Sequence, residues 1–256
     1  MQVFVVDAFT DRAFAGNPAG VVLLEAPAGE AWMQSVAAEM RHAETAFVVT
    51  GGEGPLPLRW FTPVAEVDLC GHATLATAHV LGGDRSFETR SGVLTCTAGD
   101  HGWIEMDFPA DPATPVVLSE DLRAALPGVE VVDTGDGVSD LLVQAGDAAQ
   151  VRALVPDLDA IARHGSRGVI VTALGDRPGI DVVSRCFLPG IGISEDPVTG
   201  SAHCTIASWW GPRLGRASLV AEQASPRGGL LRTTLDGERV RLAGQAVTVL
   251  RGELAV

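Results

Sequence analysis

Short apolar runs and one helical rhythm alternate along the first fifty residues. "MQVFVVDAFT" reads as a first strand and "GVVLLEA" as a second. "AWMQSVAAEMRH" then places Trp32, Val36 and Met40 on one helical face, and "AFVVT" returns to a strand. Two later segments depart from this amphipathic habit. "GHATLATAHVLGG" and "GSAHCTIASWWGP" carry small and apolar residues on nearly every side, so each predicts a helix buried all round. Their ends are expected at Gly82-Gly83 and at Gly211-Pro212. Period-2 alternation predicts strands in "GVLTCTAG", "HGWIEMDF", "GLLRTTLDG", "RVRLAG" and "AVTVLRGEL".

The elements repeat. "RWFTP" (59–63) and "RCFLP" (185–189) share Arg-x-Phe-x-Pro, with Phe61 and Phe187 126 residues apart. Each motif leads through an acidic stretch, "AEVDLCG" or "GISEDPVTG", into one of the all-apolar helices. Upstream, "LLVQA", the helical "AAQVRALVPDLDAIARH" and "GVIVTAL" parallel the strand, helix and strand of the first half, with Phe47 and Val169 122 apart. Order and spacing together imply a tandem duplication. The expected architecture is α+β: two pseudo-symmetric domains, residues 1–112 and 113–256, joined near the Pro-rich "FPADPATPVV". In each, a curled mixed sheet wraps a central buried helix, and the active site is expected in the cleft between the halves.

A buried helix start has backbone N–H groups with no intrahelical partner. Two such starts, at Gly71 and Gly200, make an anion site the natural expectation, with Ser201 and Thr74 as additional hydroxyl donors. The competing reading is plain capping by Asp68, Asp196 or Thr199. Chemistry should sit where the two halves differ. Glu44 has Ser166 as its counterpart, and His72 has Ser201. A helix start disfavours imidazolium, so His72 is expected to be neutral. Asp196 beside an anion site is under pressure toward a raised pKa. Cys70 is a candidate thiol base, whereas Cys204 reads as core; His203 lies near the second start, and His79 reads as structural.

Composition narrows the chemistry. The 256 residues carry a formal charge of −14, which argues against nucleic acid and anionic membranes as partners. No run approaches the length of a membrane span, and the opening residues lack a targeting signal, so a cytoplasmic location is expected. Four cysteines without CxxC spacing fit reduced thiols. Lysine and tyrosine are absent, which removes Schiff-base and P-loop lysine chemistry and tyrosine acids. His42, His72 and His203 show no metal-ligand spacing, and no cofactor is expected.

The segments "VDAFTDRAFAGNPAGVVLL", "AAEMRHAETAFV", "RWFTPVAEVDLCGHATLATAH", "SGVLTC" and "RCFLPGIGISEDPVTGSAHCTIAS" together resemble the PhzF family, the phenazine biosynthesis-like isomerases of the diaminopimelate epimerase-like superfamily. The resemblance runs over most of the chain. It implies a homodimer and a cofactor-independent proton shift within a small conjugated carboxylate. It makes Glu44 the acid/base, with His72, Asp196 and Ser201 as helpers. Gly71, Ala73, Thr74, Gly200, Ser201 and Asn17 are then the expected substrate-binding positions. The epimerase relatives carry a cysteine at each helix start; Cys70 matches the first, while the second place here is near Pro197. One-base or thiol-assisted epimerisation through Cys70, and a carboxylate binder without turnover, are the alternatives.

Overall fold

The computed structural model describes residues 1–52 and 54–255, which form two compact units. The first comprises Met1–Asp107 and Ala243–Val256, the second Phe108–Leu242. The first contains β1 (Gln2–Ala8), β2 (Asn17–Leu24), α1 (Glu30–Met40), β3 (Thr45–Val49) and β4 (Leu56–Phe61). After these come β5 (Glu66–Val67), α2 (Gly71–Leu81), β6 (Arg85–Thr89), β7 (Gly92–Ala98) and β8 (Ile104–Pro109). The second opens with β9 (Thr114–Pro115), α3 (Glu120–Ala124), β10 (Val131–Asp136), β11 (Asp140–Ala145), α4 (Ala148–Ala153) and α5 (Leu158–His164). It continues with β12 (Gly168–Leu174), β13 (Val182–Leu188), β14 (Ile193–Asp196), α6 (Gly200–Leu214), β15 (Ser218–Gln223), β16 (Gly229–Asp236) and β17 (Arg239–Gly244). The chain then returns to the first unit as β18 (Ala246–Glu253).

Strand pairing shows the duplication directly. In the first unit β1 is antiparallel to β2, β2 parallel to β3, β3 antiparallel to β4, β4 parallel to β6 and β6 antiparallel to β7. The second unit repeats this sequence of pairings with β10, β11, β12, β13, β15 and β16. Each parallel pair needs a crossover: α1 supplies it between β2 and β3, α2 between β4 and β6, α4 and α5 between β11 and β12, and α6 between β13 and β15.

The central strands β2, β3, β11 and β12 are buried on two faces, which is why they are almost continuously apolar. In β12, Val169, Val171 and Ala173 enter the core that also holds Leu122, Val151 and Ile161 of α3, α4 and α5. Ile170 points the other way, into the core with Ala202, Ile206, Trp209 and Trp210 of α6. In the first unit Met33, Val36 and Ala37 of α1 pack with Phe47 and Phe61. Phe47 stands edge-on to Phe61 at 5.6 Å between ring centres. On the opposite face α2 packs against β1, β2, β3 and β18, and seven consecutive residues, His72–Ala78, are buried.

The Arg-x-Phe-x-Pro repeat has a physical reason. Arg59 binds Glu66 through Nε and Nη2, both at 2.6 Å, and its guanidinium lies 5.2 Å from the Phe61 ring centre. Arg185 binds Glu195 through the same two nitrogens at 2.7 and 2.8 Å and lies 4.8 Å from the Phe187 ring centre. In each unit the arginine thus ties the strand to the acidic strand β5 or β14, which leads to the buried helix. The hydrogen bonds from Arg59 hold the Glu66 carboxyl below the usual range, against the opposing effect of burial.

Three sequence expectations are corrected. The units are not two consecutive halves divided at 112: β18 pairs antiparallel with β1, from Gln2 with Glu253 to Ala8 with Ala246. That pairing covers the edge β1 would otherwise present on the side away from β2. The segment read as one helix after β11 is two helices. Pro156 separates them, and Asp147 and Asp157 each cap a start by accepting from Gln150 N and Ala160 N. Finally, α6 does not stop at Gly211-Pro212 but runs to Leu214 and ends on Gly215 in the left-handed region. Arg213 stacks 3.5 Å from the Trp209 ring centre and donates to Trp209 O, which holds this last turn closed despite the proline.

Candidate active site

Helix α1 ends on Arg41 in the left-handed conformation, φ 55°, and four residues later, at Thr45, the chain enters β3. Glu44 occupies that junction. Its carbonyl accepts from Gly20 N, and the adjacent Thr45 pairs with Gly20 in the parallel β2–β3 ladder. A side chain at position 20 would crowd Thr45 Oγ1 at 3.0 Å, so glycine lets the two strands close at this point. Glu44 is therefore fixed through its backbone, and its side chain is only 14% exposed.

Because α2 packs on β2 and β3, its first turn comes to Glu44. His72 Nε2 lies 3.3 Å from Glu44 Oε2, close enough to exchange a proton after a small rotation, though not aligned as a hydrogen bond. On the other side of the ring, Nδ1 is 3.5 Å from Cys70 Sγ. Burial lowers the His72 pKa to about 4, and the charge of nearby His42 pushes in the same direction. The ring is thus neutral near pH 7, as the helix start led us to expect. A neutral imidazole has one N–H and one lone pair, so it donates on one side and accepts on the other, here between a carboxylate and a thiol.

Neither N-cap residue, Cys70 of α2 or Thr199 of α6, caps its helix through its side chain. Asp68 is exposed and lies 3.7 Å from Arg90 instead. The Thr199 hydroxyl donates to Asp196 Oδ2 rather than serving the helix. Thr74 is fully buried, and its hydroxyl donates to Cys70 O at 2.6 Å. Gly71 and Ala73 flank His72 in the same first turn, and Asn17 opens β2, buried opposite Ala8.

Asp196, Gly200 and Ser201 belong to the second unit and share one end of α6. Gln223 braces this turn: it accepts from Thr199 N at 2.8 Å and donates to Asp196 O at 2.7 Å. Ser201 is exposed, and its hydroxyl accepts from Arg167 Nη2 at 2.9 Å. Arg167 is locked in turn by a two-pronged ion pair with the buried Asp140. With its oxygen accepting from a cation, the Ser201 hydroxyl still has a proton to donate. Sequence reading missed Arg167 and Asp140. Arg167 follows the counterpart of Glu44, so the cation stands where the first half has Thr45, and a search for charge differences between the halves could have found it. His203 Nδ1 is 2.7 Å from Thr199 O, and burial lowers its pKa to about 4. None of the four cysteines, all described, is disulfide-bonded.

The family model for phenazine biosynthesis-like proteins matches residues 6–252. The chain belongs to the phenazine biosynthesis-like family. An uncharacterized isomerase of Pseudomonas aeruginosa is 48% identical, over 99% of this chain and 98% of its own. The crystal structure of a PhzF-family protein from Enterococcus faecalis superposes with a TM-score of 0.94 at 40% identity, covering 100% of this chain and 99% of that one. The structure of a predicted epimerase from P. aeruginosa shares the fold, with a TM-score of 0.79 at 22% identity, covering 100% and 99% of the two chains. This member of the family is an isomerase. Among the described residues no helix is long and apolar enough to cross a membrane.

Proposed function

We propose that this isomerase shifts a carbon-bound proton within a small conjugated hydroxy or amino carboxylate, without a cofactor, and that Glu44 carries the proton. The observation that supports this reading most is the approach of Glu44 to a neutral His72, both nearly enclosed. Glu44 takes a proton from carbon, leaving an electron pair delocalised into the conjugated system. It returns the proton to a second carbon on the same face, with His72 donating or accepting through Nε2 to reset the carboxyl. Positioned acid–base catalysis of this kind contributes about 10²–10⁴-fold. N–H groups at the α2 start face the charge that develops on the substrate.

A second reading has one specific observation behind it. Cys70 Sγ lies 3.5 Å from His72 Nδ1, which is the arrangement of a thiol and its base. In that case the reaction is an epimerisation with Cys70 as the proton carrier.

Incubation in D₂O with a panel of unsaturated and cyclic hydroxy and amino carboxylates, followed by proton NMR, separates the two. Loss of carbon-bound hydrogen that Glu44→Gln abolishes and Cys70→Ser retains is the expected result. Exchange that survives Glu44→Gln and disappears in Cys70→Ser transfers the protein to the epimerases. Binding without exchange across the panel refutes proton transfer for those carboxylates and leaves a binder.

A further inference from the structure

Glu44, Cys70 and His72 each offer one metal-ligating atom, and these three atoms all lie within 4.8 Å of one another. We propose that they form a site for a borderline-soft divalent cation of the zinc type. The donor chemistry selects the ion: a thiolate, an imidazole nitrogen and a carboxylate oxygen suit zinc or cobalt, whereas magnesium and calcium take oxygen ligands. Bond lengths of about 2.3 Å to sulfur and about 2.0–2.1 Å to nitrogen and oxygen put neighbouring donors of a tetrahedral site roughly 3.3–3.6 Å apart. With Nδ1 as the ligand atom, the 3.5 Å to Sγ already matches, while the Glu44 carboxylate lies 3.3 Å from Nε2 on the other side of the ring. One ring nitrogen must serve both neighbours, so closing the site requires a rotation of the imidazole and a modest shift of the carboxylate.

The three donors also stand on firm backbone. Cys70 O accepts from both the amide and the hydroxyl of Thr74, at 3.2 and 2.6 Å. His72 lies in the first turn of α2, and Glu44 is held by the Gly20 amide. Cys70 and His72 are each 6% exposed, so the donors are shielded. Three protein ligands leave a fourth position for water or for a carboxylate. On binding, the thiol gives up its proton to solvent, and no electron is transferred.

The regulatory consequence rests on the proton-transfer reading above. A cation here occupies the same Glu44 oxygen and His72 nitrogen that handle the proton, so the metal-bound protein is silent and a chelator restores it. The spacing of the histidines gave no hint of this site, because two of its three ligands are a glutamate and a cysteine and the first is remote in sequence.

The test uses the chelator-treated full chain titrated with Co²⁺ and no substrate. The expected result is one equivalent bound, with a near-ultraviolet sulfur-to-cobalt charge-transfer band and the visible bands of a four-coordinate ion, both displaced by Zn²⁺. Cys70→Ser should lose the charge-transfer band and weaken binding by more than the roughly 10–100-fold typical of an outer-shell partner. Cys204→Ser should keep both, and the circular dichroism of each variant confirms that it is folded. No charge-transfer band in the wild type, or a band that persists in Cys70→Ser, overturns the proposal. A cobalt spectrum without any D₂O exchange leaves the metal site standing and removes the proton-transfer reading for the carboxylates tested. Exchange that saturating Zn²⁺ does not suppress overturns the regulatory consequence.

Discussion

His203 is fully buried on α6, and lowering the pH should reveal what that burial costs. Desolvation holds its pKa at about 4, against 6.5 for an ordinary histidine. The Thr199 carbonyl opposes this only in part. As the pH falls below 6.5 the unfolded chain takes up a proton that the folded chain refuses. Stability is therefore complete above pH 6.5 and is lost progressively as the pH falls toward 4. From about pH 7.5 to about pH 5.0 this linkage amounts to about 2 kcal/mol for the one group, while most carboxylates remain ionised. Urea unfolding of wild type and His203→Asn at both pH values, followed by the fluorescence of Trp209 and Trp210, measures it. The asparagine amide can still donate to Thr199 O, so the helix start is preserved. The variant should lose about 2 kcal/mol less than wild type between the two pH values. Equal losses would show that the imidazole is not held neutral and would refute the desolvation argument.

Two further perturbations follow from the ion pairs. Arg185→Met should cost about 2–4 kcal/mol by chemical denaturation, since Glu195 is only 17% exposed and Leu154 O loses its donor. Arg59→Met should cost less, because Glu66 retains Arg90 as a partner; equal costs would contradict this account. Arg167→Ala leaves the Asp140 charge buried and should cost about 3–5 kcal/mol, most of it recovered when Asp140→Asn is added. A double-mutant cycle with no coupling would sink that reading.

Much of this architecture was legible because its signals are local. The two all-apolar helices, the period-2 strands and the Arg-x-Phe-x-Pro repeat each carry their own physical reason within a few residues. Glu44 and His72 were found from the differences between the halves, and the structure brings those two side chains together. What was missed depends on distant partners. The alternation in "AVTVLRGEL" announces a strand but does not say which edge it joins, so the choice of β1 was invisible. Arg167 gains its meaning from Asp140, 27 residues earlier. At Gly211-Pro212 a local stop signal was present and tertiary packing overrode it, with Arg213 and Trp209 holding a turn that a proline disfavours by about 3 kcal/mol. The break at Pro156, by contrast, was available from sequence and was passed over.

The pairing of β18 with β1 makes the first unit discontinuous, with the whole second unit inserted between two of its segments. During synthesis, all of Phe108–Leu242 is made before the last strand of the first unit exists. The second unit can then fold from a contiguous segment, while the first must wait with the β1 edge uncovered. Closing it joins residues as far apart as Gln2 and Glu253, a pairing whose entropy cost is met only after β18 has been made. A released chain truncated before Ala246 would keep every segment of the second unit but leave the β1 edge open, the form of this chain most exposed to aggregation and to chaperones.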